Sequence, residues 1–132
     1  MPFVPGMKAK NIEDVVVYRN AIEAFDAVSA LLTRREFSRD FDLSDQLARS
    51  AGRVGPLIAE GFGQLTDRHL AAYLGRARGS ALESHGHLTA AAGKKYISPD
   101  DLVDVGGRYI AIGKMRTKWI HHLRECDWKN RG

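Results

Sequence analysis

A chain of 132 residues with one cysteine and a formal charge of +4 has the length of a single domain with one core, and it cannot form an internal disulfide or build a zinc site from cysteines. No run approaches the roughly 18 apolar residues that cross a bilayer, and MPFVPGMKAK has too short an apolar stretch for a secretory signal, so a cytoplasmic protein with no membrane segment is expected. Residues 1–66 carry 8 basic and 9 acidic groups and residues 67–132 carry 12 and 7, so the basic excess, which fits an anionic partner without requiring one, lies in the second half.

Residues 1–10 hold two prolines and a glycine and read as a loose tail. Residues 11–128 read as the folded unit, and 129–132 as a short C-terminal tail. Asn11 is the expected cap of a first helix, with Glu13 and Asp14 in its first turn. Val15, Tyr18, Ile22, Phe25, Ser29 and Leu32 then recur in steps of three and four, and Arg34 and Arg35 suit the negative end of its dipole. After the link EFSRDFDL, Ser44 is the expected cap of a second helix with Leu43 as its staple. Its seam is Leu47, Ala51, Val54, Ile58, Gly61 and Leu65. Pro56 lies inside it and predicts a bend rather than a break, because Gly52 and Gly55 sit where its ring crowds the chain.

Gly61 and Gly63 loosen the end of that helix, and Thr66 caps a third, which runs to about Ala92 with Gly93 as a left-handed stop. One stripe of it is mostly small: Leu74, Ala77, Ala81, Ser84, Leu88 and Ala91, with Gly79 and Ser80 beside it. Ser98, Pro99, Asp100 and Asp101 announce a fourth helix. Its seam is Leu102, Val105, Tyr109, Ile112, Arg116, Trp119, Leu123 and Cys126. Four long amphipathic segments with short joins and little strand-like alternation specify an all-α fold, an antiparallel up-down-up-down four-helix bundle crossing at roughly 20°.

No constellation reads as catalytic and no cofactor motif is present. EGFGQL and GRARGSALE have glycines but no strand before them, as a phosphate loop needs. Glu60 falls within roughly 20° of Arg53 and Arg49 on one stripe of its helix, which favours an ion-pair row or a subunit contact over acid catalysis. His85 with His87, and His121 with His122, diverge too far around a helix to chelate; His121 and Glu125 share a face but supply two ligands, so no metal is expected. Arg116 occupies a seam position and needs a carboxylate such as Glu83 or Glu60, water, or a second subunit. The candidate nucleic-acid contacts are Arg68, Arg76, Arg78, Lys94, Lys95, Arg108, Lys114, Lys118 and Arg124, although a solvated face is the commoner meaning of such a run.

QLARSAGRVGPLIAEGFG followed by GRARGSALESHGHL resembles the signature of the bacterial four-helix-bundle proteins encoded in intervening sequences of large-subunit ribosomal RNA genes. The likeness runs from Ile12 to about Trp119. It is most specific at Gln46, Leu47, Arg49, Ile58, Ala59, Glu60, Gly61, Ala77, Gly79, Ser80 and Glu83. The chain departs from the family pattern at Leu57, where asparagine is favoured, at His85, where a second glutamate is common, and at Pro56, which is shifted by one place. The resemblance implies a left-handed bundle that assembles as a ring-like homopentamer. It also brings in a relative similar in fold, the accessory variability determinant of diversity-generating retroelements, which uses basic surfaces to bind nucleic acid and a reverse transcriptase.

The expected role is therefore a non-catalytic, oligomeric nucleic-acid-binding or ribonucleoprotein accessory module, with RNA favoured over DNA and a protein partner also open. Phosphate contacts would dominate, since no recognition motif or aromatic stacking platform is evident. The alternative is a structural scaffold that binds a protein partner and no nucleic acid.

Overall fold

The structure is a computed structural model that describes residues 15–115. The expected Asn11 cap, both tails, and the fourth seam from Arg116 onward lie outside the described residues. Helices α1 (Val16–Leu32), α3 (Phe41–Phe62) and α4 (Asp67–Gly93) are joined by short links, with a single turn, α2 (Arg35–Ser38), between the first two. Helix α5 opens at Pro99–Asp101, passes through a π-helical turn at Leu102–Gly106, and continues as helix over residues 107–115. No strand occurs among the described residues.

Contacts between side chains fix the relative directions. Across α3 and α4, Ser50 meets Ser84, Arg53 meets Glu83 and Gly61 meets Tyr73, so the two run antiparallel. Gly52 lies against Phe25 and Gly55 against Ile22, so α1 runs antiparallel to α3. Helix α5 rests on α4 where Gly106 meets His85. It reaches the α1–α2 link through Asp101 and Arg34 at one end and α1 itself through Met115 and Asn20 at the other.

The core follows the predicted seams on three helices: Leu47, Ala51, Val54 and Ile58 of α3, Leu74, Ala77, Ala81, Leu88 and Ala91 of α4, and Val105, Tyr109 and Ile112 of α5 are buried. On α1 the predicted seam is wrong beyond Val15: Val17, Ala21, Ala24, Val28 and Leu31 are buried, whereas Ile22 and Ser29 are exposed and Tyr18, Phe25 and Leu32 are half-buried, because Phe25 and Ile22 lie over Gly52 and Gly55 of α3 instead of pointing into the core. Leu65 is not part of it. It lies in the link beyond α3 and is 98% exposed.

The helix ends depart from expectation in ways the side chains explain. Helix α1 stops at Leu32 because the Thr33 hydroxyl donates to the Ala30 carbonyl at 2.7 Å and Arg34 turns extended. The next residues fold into α2, which buries Phe37. Asp40, not Ser44, caps α3 by accepting from the Leu43 amide at 3.2 Å. The Ser44 hydroxyl is instead committed to the Phe37 carbonyl at 2.6 Å, tying α3 back to α2.

Helix α3 runs on through exposed Pro56 to Phe62. Gly52 and Gly55 answer to α1: a Cβ at Gly52 would stand 3.3 Å from the Phe25 ring, and one at Gly55 would stand 3.2 Å from Ile22 Cδ1. Gly61 likewise serves a close crossing rather than looseness, for its Cβ would meet Tyr73 Cβ at 3.0 Å and Leu70 Cδ1 at 3.1 Å.

Thr66 caps α4 as predicted, accepting from the His69 amide. Its left-handed stop comes two positions later than predicted: Gly93 is the last helical residue, and Lys95 takes the left-handed conformation with φ 64°. The Tyr96 amide donates to Ala91 and the Lys95 amide to Ala92, the paired closing bonds of a Schellman turn. At the start of α5, Ser98 accepts from the Asp101 amide while Asp101 accepts from the Ser98 amide, a capping box with Pro99 in the first turn.

Candidate nucleic-acid interface

Arg68, Arg76, Arg78, Lys95 and Lys114 are exposed and have no carboxylate partner among the described residues. Arg76 lies over the Tyr73 ring at 5.4 Å, a contact that covers one face of the guanidinium and leaves its edge donors open. The other two described candidates are engaged. Lys94 Nζ donates to Asp40 Oδ2 at 2.7 Å, and Arg108 Nε stands 3.7 Å from Asp104 Oδ1 on the same helix. Lys118 and Arg124 lie outside the described residues.

The Asp40 carboxylate gathers a compact cluster at one end of the fold. Besides Lys94 it accepts from the Tyr96 hydroxyl at 3.0 Å, and the Tyr96 ring packs edge-on against Phe37 at 5.5 Å. Lys94 beside it, then the Leu43 amide, hold the Asp40 carboxyl below the usual carboxylate range, and Asp40 raises Lys94 and Tyr96 in return. Next to this cluster, Arg34 Nη1 donates to Asp101 Oδ2 at 2.8 Å, and with the Ser98 amide it brings Asp101 down to about 2. Both clusters tie α1, α2 and α3 to the α4–α5 link; their chemistry is structural.

The polar stripe on α3 divides. Arg53 Nη2 meets Glu83 Oε2 at 3.3 Å, and Glu83 Oε1 lies 3.4 Å from His87 Nε2, so Glu83 joins α3 to α4. Arg49 pairs with Asp45 on its own helix at 3.4 Å. Glu60 is exposed and has no ion-pair partner among the described residues; its backbone carbonyl accepts from Gln64 Nε2. Arg116 lies outside the described residues. At the family departures, Leu57 is buried in the core and His85 is half-buried against Gly106.

The described residues hold 13 cations and 12 carboxylates, whereas residues 116–132 hold five and two. The basic excess therefore belongs mostly to residues 116–132. On the helical body, the cationic feature is local: open arginines and lysines in places where carboxylates are turned elsewhere.

The spacing of hydrophobic residues gave no hint of a surface built from glycine. Gly75, Gly79, Gly86 and Gly93 all lie on the exposed side of α4, where an added Cβ would meet nothing within 4 Å among the described residues. Exposed Leu82 interrupts the row, and α5 alongside adds exposed Val103 and Gly107. Among the described residues no group of three or more His, Cys, Asp or Glu is placed to hold a metal ion. No described helix is long and apolar enough to cross a membrane.

The fold is similar to that of a Bacteroides thetaiotaomicron protein of unknown function from the S23 ribosomal protein family, with a TM-score of 0.73 over 80% of this chain and 98% of that one, at 20% identity. No curated protein matches the chain. Residues 13–118, which span every helix described above, match the model of the 23S rRNA-intervening sequence proteins. The chain belongs to the 23S rRNA-intervening sequence protein family.

Proposed function

We propose that this chain is a non-catalytic nucleic-acid accessory module, acting in the cytoplasm as a homo-oligomer on RNA rather than DNA. The observation that carries the reading is the set of exposed cations without carboxylate partners: Arg68, Arg76, Arg78, Lys95 and Lys114. A cation already neutralised by a neighbour gains little from a phosphate, whereas an open one releases condensed counterions when it binds. Lys94 and Arg108 therefore contribute less than their exposure suggests. The five extra cations of residues 116–132 add to the same term.

In this reading α1, α3, α4 and α5 form a left-handed antiparallel four-helix bundle, and five copies close into a ring. Repetition matters energetically. Five open cations on one chain bind weakly at physiological salt, but several copies on one scaffold present their stripes to one strand together, and linked contacts raise the effective concentration of each.

The test is a gel-shift titration of the full chain with structured RNA and with duplex DNA at several salt concentrations. Binding to RNA that falls steeply with salt is expected, with charge reversal at Lys114 and Lys118 weakening it. No binding at low salt defeats the reading. Binding of a protein partner that survives the charge reversal would favour a scaffold instead.

A further inference from the structure

Among the described residues every aromatic side chain is buried or half-buried except Phe41, the first helical residue of α3, which is 76% exposed. At about 100° per residue it lies roughly 200° around the helix from Leu43, which is buried, so the turn that sends Leu43 inward holds the Phe41 ring out in solvent. Its surroundings follow from the chain. Arg39 stands two residues before Phe41, and Arg35 lies one helical turn before Arg39. Both arginines are exposed, and neither has a carboxylate partner among the described residues. Lys95 joins them, because Asp40, between Arg39 and Phe41, holds the adjacent Lys94 at 2.7 Å.

We infer that the corner between α2 and α3 binds single-stranded RNA, with an unpaired base stacked on Phe41 and the flanking phosphates held by Arg35, Arg39 and Lys95. The inference rests on the nucleic-acid reading above, and it adds which form of RNA is taken and where.

The charge around the ring suits a polyanion. Asp40 is engaged by Lys94 and Tyr96, and Asp45 by Arg49. Asp42 is close enough to Lys94 for its charge to help raise that ammonium's pKa. Against the open Arg35, Arg39 and Lys95 stands Glu36, exposed and without a cation partner among the described residues. The ring itself selects the form of the strand. Unpaired bases stack on aromatic faces and guanidinium planes while cations meet the phosphates, and any base will serve because each has a π-face. A duplex keeps its bases stacked on one another and offers Phe41 no partner. The corner is also distant from the arginines on the first half of α4: at about 1.5 Å per residue, Arg78 lies about 22 Å along the helix from Gly93.

The experiment is fluorescence anisotropy of the full chain with a labelled oligouridylate of about 12 nucleotides and with an RNA duplex of the same length, at several salt concentrations. Circular dichroism checks that each variant stays helical. Stacking on an aromatic side chain is worth about five- to 150-fold in affinity per base, so Phe41→Ala should weaken oligouridylate binding by that order and leave duplex binding unchanged. Phe41→Trp, which keeps a π-face, should retain the single-strand affinity. Arg35→Gln together with Arg39→Gln should reduce the slope of log affinity against log salt for oligouridylate by about 1.4, since each phosphate contact to a single strand accounts for about 0.7.

Unchanged oligouridylate affinity in Phe41→Ala overturns the inference and leaves the nucleic-acid reading standing. An equal loss on the duplex also overturns it, because the ring would then act without an unpaired base. A Phe41→Ala chain whose assembly mass changes while its RNA affinity holds would assign the ring to a protein contact instead. A wild type that binds neither probe at low salt removes the nucleic-acid reading along with this one.

Discussion

Ser50 of α3 and Ser84 of α4 face each other across the core, their hydroxyl oxygens 2.9 Å apart and both side chains closed to solvent. Ser84 also reaches the Ser80 carbonyl one turn back at 2.8 Å, while Ser50 has only a longer contact, 3.3 Å, to the Leu47 carbonyl. A satisfied neutral hydrogen bond is worth about 1 kcal/mol net, and an orphaned buried hydroxyl costs about 1–3 kcal/mol. Ser84→Ala should therefore cost more than Ser50→Ala, because it strands the poorer-placed hydroxyl. The double alanine variant should cost less than the sum of the two. Denaturant melts of all four chains check this, and additivity within about 0.3 kcal/mol would mean that the two serines are energetically independent.

Gly61→Ala sets two effects of opposite sign against each other. Helix propensity favours alanine by up to about 1 kcal/mol. The new Cβ would stand 3.0 Å from Tyr73 Cβ, which is fixed to the backbone and cannot swing aside. Overpacking of this kind costs about 1–3 kcal/mol, so the variant should melt at a lower temperature than wild type. A raised melting temperature would show that the α3–α4 hairpin end gives way freely.

Lys95→Gly should stabilise the fold by up to about 1 kcal/mol, since lysine at φ 64° pays a steric cost that glycine avoids. Lys95→Ala is the control. It removes the same charge but keeps a Cβ, and it should bring no such gain in thermal stability. Equal gains from both variants would locate the effect in charge rather than backbone.

Acid should loosen the end of the fold where α2 packs. Asp101 titrates at about 2 against an ordinary 3.8, and Asp40 is likewise lowered, so each contributes stability above its ordinary value that is lost as pH falls through the folded one. The wild type should lose stability as pH falls below about 4 through these two groups, with the Asp101 contribution gone by about pH 2. Arg34→Met and Lys94→Met should flatten that part of the acid titration followed by circular dichroism. Added salt should do the same in part, because both pairs are near the surface.

What could be read in advance was chemistry that acts over one turn. Ser98, Pro99 and Asp101 cap α5 and Thr66 caps α4 as their order along the chain requires, and the three-four spacing of apolar residues placed the core on α3, α4 and α5, but on α1 it picked the face of Ile22 and Ser29 where Ala21, Ala24 and Val28 are the buried ones. What could not be read depended on partners far along the chain. Ser44 has the right hydroxyl for a cap, but the Phe37 carbonyl claims it, and α2 forms because Phe37 finds a place in the core beside Tyr96. Gly93 is the natural left-handed residue, yet the turn closes two positions later on Lys95, next to the lysine that Asp40 binds. The candidate interface was half legible: composition identifies the cations, but only three-dimensional placement separates open Arg78 from engaged Lys94. The glycine row escaped notice because its members pack against nothing among the described residues.

The π-helical turn at Leu102–Gly106 has a bearing on how chains of this kind can differ in length. An extra residue in an ordinary helix would swing everything after it by about 100° and carry Tyr109 and Ile112 out of the interior. Widening a single turn takes up the surplus locally, like slack wound onto a spool, so both residues keep their places at the centre. A shorter relative could lose one residue there, tighten the coil, and still deliver the same aromatic ring to the same neighbours.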